Sequence, residues 1–263
     1  DRSGQWSDHA SGEQRVKKED WMAGKLWTIA PLVLATAVRD LSQVLLTAPI
    51  GTDVDGAVLA WLLRSGDDKI LVDTGFGAMD TPDLMHNFSR TPEQSLESQL
   101  ARFNIVAEEI RLVVNTHLHV DHCGGNRFLP NARFLAQKSE SEYARDPLPV
   151  HRPAYDVDLS RMDLELLEGD AEITEGVRTV VTSGHSPGSQ AVLVDTSGGL
   201  YVIAGDTITH YLNMDVPEGA SFWPGPLYVG LREYYESLDR LRDLGGTILP
   251  GHDPRVLRQT LYP

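Results

Sequence analysis

Four metal-capable side chains crowd into the six residues His117-Leu118-His119-Val120-Asp121-His122, and nothing else in the chain restricts its fold as tightly. The apolar run before them, Ile110 to Val114, reads as a buried strand, so the cluster stands at a strand end. In extended chain the imidazoles of His117 and His119 share one side, whereas the adjacent Asp121 and His122 diverge unless a turn refolds them. One segment can therefore serve two neighbouring cations. The Gly124-Gly125 pair that follows permits the tight turn and close backbone approach that such a loop needs. An isolated histidine is usually a packing or surface residue; HxHxDH directly after a strand is read as a site.

The same arrangement recurs along the chain. Ala57 to Leu63 and Lys69 to Val72, joined by Ser65-Gly66-Asp67-Asp68, predict a hairpin whose second strand ends in Asp73-Thr74-Gly75. Val177 to Thr182 leads into SGHSPG with His185, Leu200 to Ala204 into Gly205-Asp206, and Thr247 to Leu249 into Pro250-Gly251-His252-Asp253. Each short strand delivers a His or Asp beside a glycine, which is how a site is built on a rigid sheet rim. Helices are expected over Pro92 to Phe103, with Thr91 as N-cap, and over Leu231 to Leu244, stopped by Gly245-Gly246. Strands alternating with single helices predict an α/β layered fold. Leu26 to Leu46 is expected to hold the first strand, with Pro31 breaking any continuous helix.

A chain of 263 residues with 41% hydrophobic and 23% charged residues can bury a full core without staples. Its formal net charge of -15 disfavours nucleic acid and anionic membrane as partners, and no Lys/Arg-rich run offsets it. No apolar stretch is long enough to cross a bilayer. The one cysteine, Cys123, excludes an intrachain disulfide and is expected to pack rather than to ligate; it suits a reducing compartment, so a cytoplasmic location is expected. The first residue is Asp1 rather than Met, so a signal removed upstream, which would take the chain out of the cytoplasm, stays the alternative to that expectation. Residues 1–24 are expected to be a polar arm, either disordered or laid across a second subunit with Trp6 and Trp21 as anchors, so that a homodimer is an allowed assembly. Residues 25–263 are expected to form a single domain.

His185, Asp206 and His252 bring the candidate ligands to seven: His117, His119, Asp121, His122 and these three. Imidazole and carboxylate suit zinc first, with iron, cobalt or manganese as alternatives, and the lack of thiolates argues against a purely structural zinc site. Two divalent ions side by side would activate a water and clamp the oxygens of an ester or amide, leaving the protein no need for a nucleophile of its own.

HxHxDH followed by a distant His, Asp and His resembles the metallo-β-lactamase-fold hydrolases, over Ala57 to His252. The resemblance implies a four-layer αβ/βα sandwich with the site at one edge between two sheets. It also implies that His117, His119 and His185 hold one metal, that Asp121, His122 and His252 hold a second, that Asp206 bridges them, and that Asp73 orients a ligand histidine. SGHSPGSQ and the closing GHD are most similar to the N-acyl-homoserine lactone lactonases and the pyridoxolactonases, so opening of a lactone ring is the expected reaction on a small-molecule substrate. The glyoxalase II branch of thioesterases shares all seven ligands and is the alternative, as is another cyclic ester or amide hydrolase of the same kind. The lactonases carry a tyrosine three residues after the bridging aspartate, where this chain has Thr209, followed by His210 and Tyr211. Asp121 is therefore expected to be the catalytic proton carrier and Tyr211 at most an auxiliary donor. Phe222-Trp223-Pro224 with Met214 could equally line a pocket or cap the core, and His151 is expected at the surface.

Overall fold

The structure, a computed structural model, describes residues 24–77 and 87–263. The expected arm, all but Gly24, lies outside the described residues. Thr28–Asp40 (β1) and Asp53–Ser65 (β2) pair antiparallel along almost their whole length, and β2 continues through Gly66, at φ 58°, into Asp68–Val72 (β3) as the expected hairpin. Phe88–Ser89 (β4), Leu112–Val114 (β5), Arg133–Gln137 (β6) and Leu164–Leu167 (β7) complete a seven-stranded mixed sheet in the order β4-β1-β2-β3-β5-β6-β7. Ala171–Thr174 (β8), Val177–Val181 (β9), Gln190–Thr196 (β10), Gly199–Ile203 (β11) and Thr247–Leu249 (β12) form a second sheet, β12-β11-β10-β9-β8, in which only the β11–β12 pair is parallel.

Period-two alternation in two buried strands produces the layers. In β2, Val58, Ala60 and Leu62 face an outer cluster with Leu96 and Leu100, whereas Ala57, Leu59, Trp61 and Leu63 face inward. In β10, Val192 and Val194 meet that inward set, while Ala191 and Leu193 turn out to a third cluster with Tyr234, Leu238 and Leu241. Leu96–Ala101 (α1) thus covers the first sheet, and a later helix, Leu231–Leu244, covers the second. This is the expected four-layer sandwich. Truncating Leu59 or Trp61 between the sheets would cost about 2 to 5 kcal/mol, because neither sheet can collapse into the cavity without losing register.

Pro31 is tolerated because β1 meets β4 only at Thr36 and Ala37. Towards its other end, among the described residues, that edge meets only the isolated bridge of Ile29 to Tyr262, and the Gln99 side chain of α1 supplies the acceptor for Val33 N–H at 3.3 Å. The helix expected over Pro92 to Phe103 is divided: a 3-10 turn, Pro92–Gln94, ends at Ser95 with ψ 148°, and Ser95 then caps α1 by accepting from Ser98 N–H. A serine hydroxyl competing for backbone groups favours that break.

Candidate metal centre

Val120–Cys123 (α2), one helical turn after β5, refolds the segment so that Asp121 and His122 both turn towards the site. The turn is pressed against the end of β3. Thr74 N–H donates to the His122 carbonyl at 2.7 Å, and a Cβ added at Gly125 would lie 2.3 Å from the Thr74 carbonyl oxygen, so only glycine fits there. Lys138–Arg145 (α3) follows β6 beneath the same loop, and Leu231–Leu244 (α4) follows the loop after Asp206. His185 leaves β9, Asp206 leaves β11 and His252 leaves β12, and the last two loops touch: a Cβ at Gly251 would lie 2.6 Å from the Gly205 carbonyl oxygen.

The structure brings all seven expected ligands together. His117, His119 and His185 form one group, with His119 Nδ1 and His185 Nε2 3.2 Å apart. Asp121, His122 and His252 form another, with the Nε2 atoms of His122 and His252 3.3 Å apart. Asp206 lies between: Oδ1 is 2.9 Å from His252 Nε2 and 3.1 Å from His122 Nε2, while Oδ2 is 3.5 Å from His185 Nε2. Asp121 Oδ2 is 3.6 Å from His252 Nε2 and 3.8 Å from His122 Nε2.

The outward nitrogens set the tautomers. His252 Nδ1 donates to the Ala57 carbonyl at 2.8 Å and His185 Nδ1 to the Leu227 carbonyl at 3.0 Å, and an oxygen of that kind can only accept. His122 Nδ1 donates to Asp73 Oδ2 at 2.8 Å; Asp73 also takes the N–H and hydroxyl of Thr116, at 2.8 and 2.7 Å. Asp73 holds φ at 60°, a conformation aspartate adopts at a cost, and the three hydrogen bonds offset it. In the neutral forms of His122, His185 and His252 the inward Nε2 atoms therefore present lone pairs to the site.

A cation site is the arrangement these donors fit. His117 Nε2 is buried with no partner, and Asp206 Oδ1, though close to two imidazoles, makes no aligned hydrogen bond. Burial, with the neighbouring imidazoles, holds His117 and His119 well below the ordinary histidine range, and burial also lowers His185, so a charged imidazolium is disfavoured throughout this group. Burial opposes charge on His122 too, but Asp206, Asp121 and Asp73 outweigh it and raise that imidazole well above its usual value. Burial would raise Asp206, yet His252 and His122 hold it well below the usual carboxylate range. Positive charge is wanted at the carboxylate end and is carried best by a divalent ion.

A cavity of about 130 Å3, open to solvent, rises from His119, Asp121, His185 and Asp206. Its walls include Arg39, Gln43, Phe76, Phe88, Thr209 and the Gly225-Pro226-Leu227 segment. Phe76 and Phe88 meet edge to face at 5.1 Å, and the Arg39 guanidinium lies 5.2 Å above the Phe88 ring.

A metallo-beta-lactamase superfamily model matches residues 53–252, which hold every one of these ligands. The chain belongs to that superfamily. Among curated relatives of this superfamily member, an N-acyl homoserine lactonase of Bacillus cereus is 31% identical over 195 residues, 68% of this chain and 76% of that protein. An N-acyl homoserine lactone hydrolase solved with N-hexanoyl-L-homoserine at its catalytic metal centre superposes with a TM-score of 0.75 at 23% identity, covering 89% of this chain and 96% of the other. AidC, a dizinc quorum-quenching lactonase in complex with its product, superposes at 0.68 with 17% identity and 91% of each chain covered. Divalent-metal binding is thus supported by the donor set and by membership of the superfamily.

Other sequence expectations fare unevenly. Tyr211 is half-buried beneath the Arg255 guanidinium, 4.9 Å away, and packs with Tyr201 and Leu257 on the inter-sheet cluster; the structure does not bring it among the residues lining the cavity. Burial, followed by Asp253, raises its phenol. His210 is buried 3.3 Å from Asp253. Phe222 and Met214 pack on the α4 cluster, and Trp223 donates to the Leu46 carbonyl, so Gly225, Pro226 and Leu227 line the cavity instead. His151 is not at the surface: it is 8% exposed and bonds to the Tyr143 hydroxyl at 2.7 Å, because the proline-flanked turn folds it inward. Cys123 is buried with Leu118, Ala136 and Tyr155, and burial pushes its thiol well up, as fits a packing residue. Sequence reasoning missed Glu140, Arg39 and Gln43. Of these only Arg39, a cation in an apolar strand, left any signal.

Proposed function

We propose that the chain is a dinuclear metal-dependent hydrolase that opens a lactone ring, with an N-acyl homoserine lactone or a similar cyclic ester as substrate. The observation that carries this reading is Asp206, whose two oxygens are shared between the two ligand groups at the floor of a part-apolar cavity. In this reading His117, His119 and His185 hold one ion, Asp121, His122 and His252 the other, and Asp206 both. Two divalent ions, zinc first, supply Lewis acidity and make water acidic enough to attack near neutral pH.

The chain's own residues do the rest. Phe76, Phe88 and Leu227 take up the acyl portion, whose burial displaces water from the cavity. Asp121 lines the cavity and its side chain is 17% exposed, so its carboxylate can receive a proton from the attacking water and return it to the ring oxygen as that bond breaks. Thr209 also lines the cavity, but its hydroxyl donates to Asn213 Oδ1 at 3.1 Å and so is not turned to a substrate carbonyl. Among the described residues Arg39 is the single lysine or arginine on the cavity lining, which disfavours a thioester carried on a multiply anionic group.

The test is a substrate panel on metal-loaded protein: N-acyl homoserine lactones of several chain lengths, a glutathione thioester, a β-lactam and a phosphotriester, followed by proton release. Lactones should be hydrolysed fastest. Thioester or phosphotriester turnover well above that of every lactone would overturn the reading.

A further inference from the structure

Glu140 is fully buried, although its surroundings in sequence, KSESEY, read as an exposed helix. It lies in the first turn of α3 and is not itself among the residues lining the cavity. Its carboxylate accepts four hydrogen bonds, two on each oxygen: Oε1 from Leu118 N–H at 3.1 Å and Tyr155 hydroxyl at 2.9 Å, Oε2 from Ser186 hydroxyl at 2.6 Å and Gly188 N–H at 2.9 Å. Those donors are not scattered. Leu118 stands between His117 and His119, Ser186 follows His185, and the Tyr155 ring packs edge-on against the His119 ring at 4.6 Å. A Cβ at Gly188 would fall 2.4 Å from that of Glu140, so the second loop lies directly on the acid.

We propose that Glu140 is the positioning residue of the three-histidine group: one buried carboxylate ties the loop bearing His117 and His119 to the loop bearing His185, and its charge complements a cation held there. No lysine or arginine contacts it among the described residues, and all four of its hydrogen-bond partners are neutral donors. Four hydrogen bonds satisfy the oxygens, but a buried anion without a counter-charge is costly. A divalent ion in the adjacent group removes that cost, and the acid in turn makes the group more receptive. The inference rests on the metal-binding part of the proposed function and is independent of the substrate.

Glu140→Gln keeps the shape, removes the charge and turns an NH2 towards two donors. The experiment is cobalt(II) titration of the metal-free full chain, followed by absorption and by elemental analysis after gel filtration, with exposed Glu142→Gln of the same helix as control. Glu140→Gln should lower the affinity of one equivalent about 10- to 100-fold while the second stays near wild type, a range typical for loss of a group that orients metal ligands. On saturating metal kcat should fall and KM hold, since Glu140 does not meet substrate. If Glu140→Gln does not fold, Ser186→Ala and Tyr155→Phe, each removing one donor, should weaken the same equivalent several-fold, and their combination should be non-additive. Wild-type affinity for both equivalents in a folded Glu140→Gln, or in the Ser186→Ala/Tyr155→Phe pair, overturns the proposal alone. A wild-type chain that takes up no cobalt overturns the metal centre and this proposal together.

Discussion

The floor of the cavity and its walls are held in different ways. On the floor, His122, His185 and His252 each donate the outward nitrogen to a fixed acceptor, Asp73 is held by Thr116, and the loops press together at Gly125 and Gly251. On the walls, Phe76 and Phe88 pack on the outer apolar cluster and meet edge to face, and Arg39 stacks on Phe88, contacts that impose little direction. A floor fixed this closely sets the reaction class, because ligand directions leave little choice of chemistry. Walls fixed by weak contacts set which acyl group fits, and can be altered without disturbing the chemistry.

The most severe way to break this contrast is Asp206→Ala. Both groups should lose metal and hydrolysis should fall to background with the strands intact; two full equivalents by elemental analysis would show that Asp206 does not bridge. Asp121→Asn should keep much of the metal yet lower turnover by about 10²- to 10⁴-fold, measured at metal saturation, the usual range for loss of a proton carrier. On the wall, Phe88→Ala should raise KM for a long-chain lactone about 10-fold and leave kcat nearly unchanged, consistent with the transfer energy of part of one aromatic ring. Equal losses in kcat would move Phe88 to the floor. Tyr211→Phe, outside the cavity lining, should cost about 10-fold or less. A loss matching that of Asp121→Asn would make Tyr211 the missing donor.

The smallest effect lies away from both regions. Partial burial raises the carboxyl of Asp170, but Arg240 and the Val181 N–H outweigh it, so its pKa is lowered on folding. Stability from such a group is present above the unfolded carboxylate value of about 3.9 and is lost as pH falls through the lower folded value. Denaturant melts should therefore show Asp170→Asn weaker than wild type at pH 7 by up to about 1 kcal/mol, the range for a part-exposed ion pair, with the gap closing below about pH 4.

The floor was legible in the sequence and the walls were not, for the same reason. HxHxDH is contiguous, and His185, Asp206 and His252 each follow a strand pattern beside a glycine, so local signals located every ligand that the fold brings together. Arg39 and Phe88 meet only because β4 pairs with β1, a two-residue contact that no local pattern announces. Glu140 is hidden likewise: its burial is decided by Gly188, 48 residues away. The edge strands β7 and β8 are largely half-exposed and carry weak alternation, whereas α4 was readable to its ends from the leucine stripe and Gly245 at φ 69°.

The parallel pairing of β11 with β12 has a consequence for the order of assembly. Asp206 and His252 leave neighbouring strands, but the strands are parallel, so the whole crossover through α4 lies between them in the chain. During synthesis the chain can therefore display His117, His119 and His185 well before the other group can close. His252 emerges near the end, and Tyr262, bridged to Ile29, then ties the last residues back to the first strand. Completion of the second ligand group thus coincides with completion of the fold, so a chain cut short of residue 252 could be compact and still be inert.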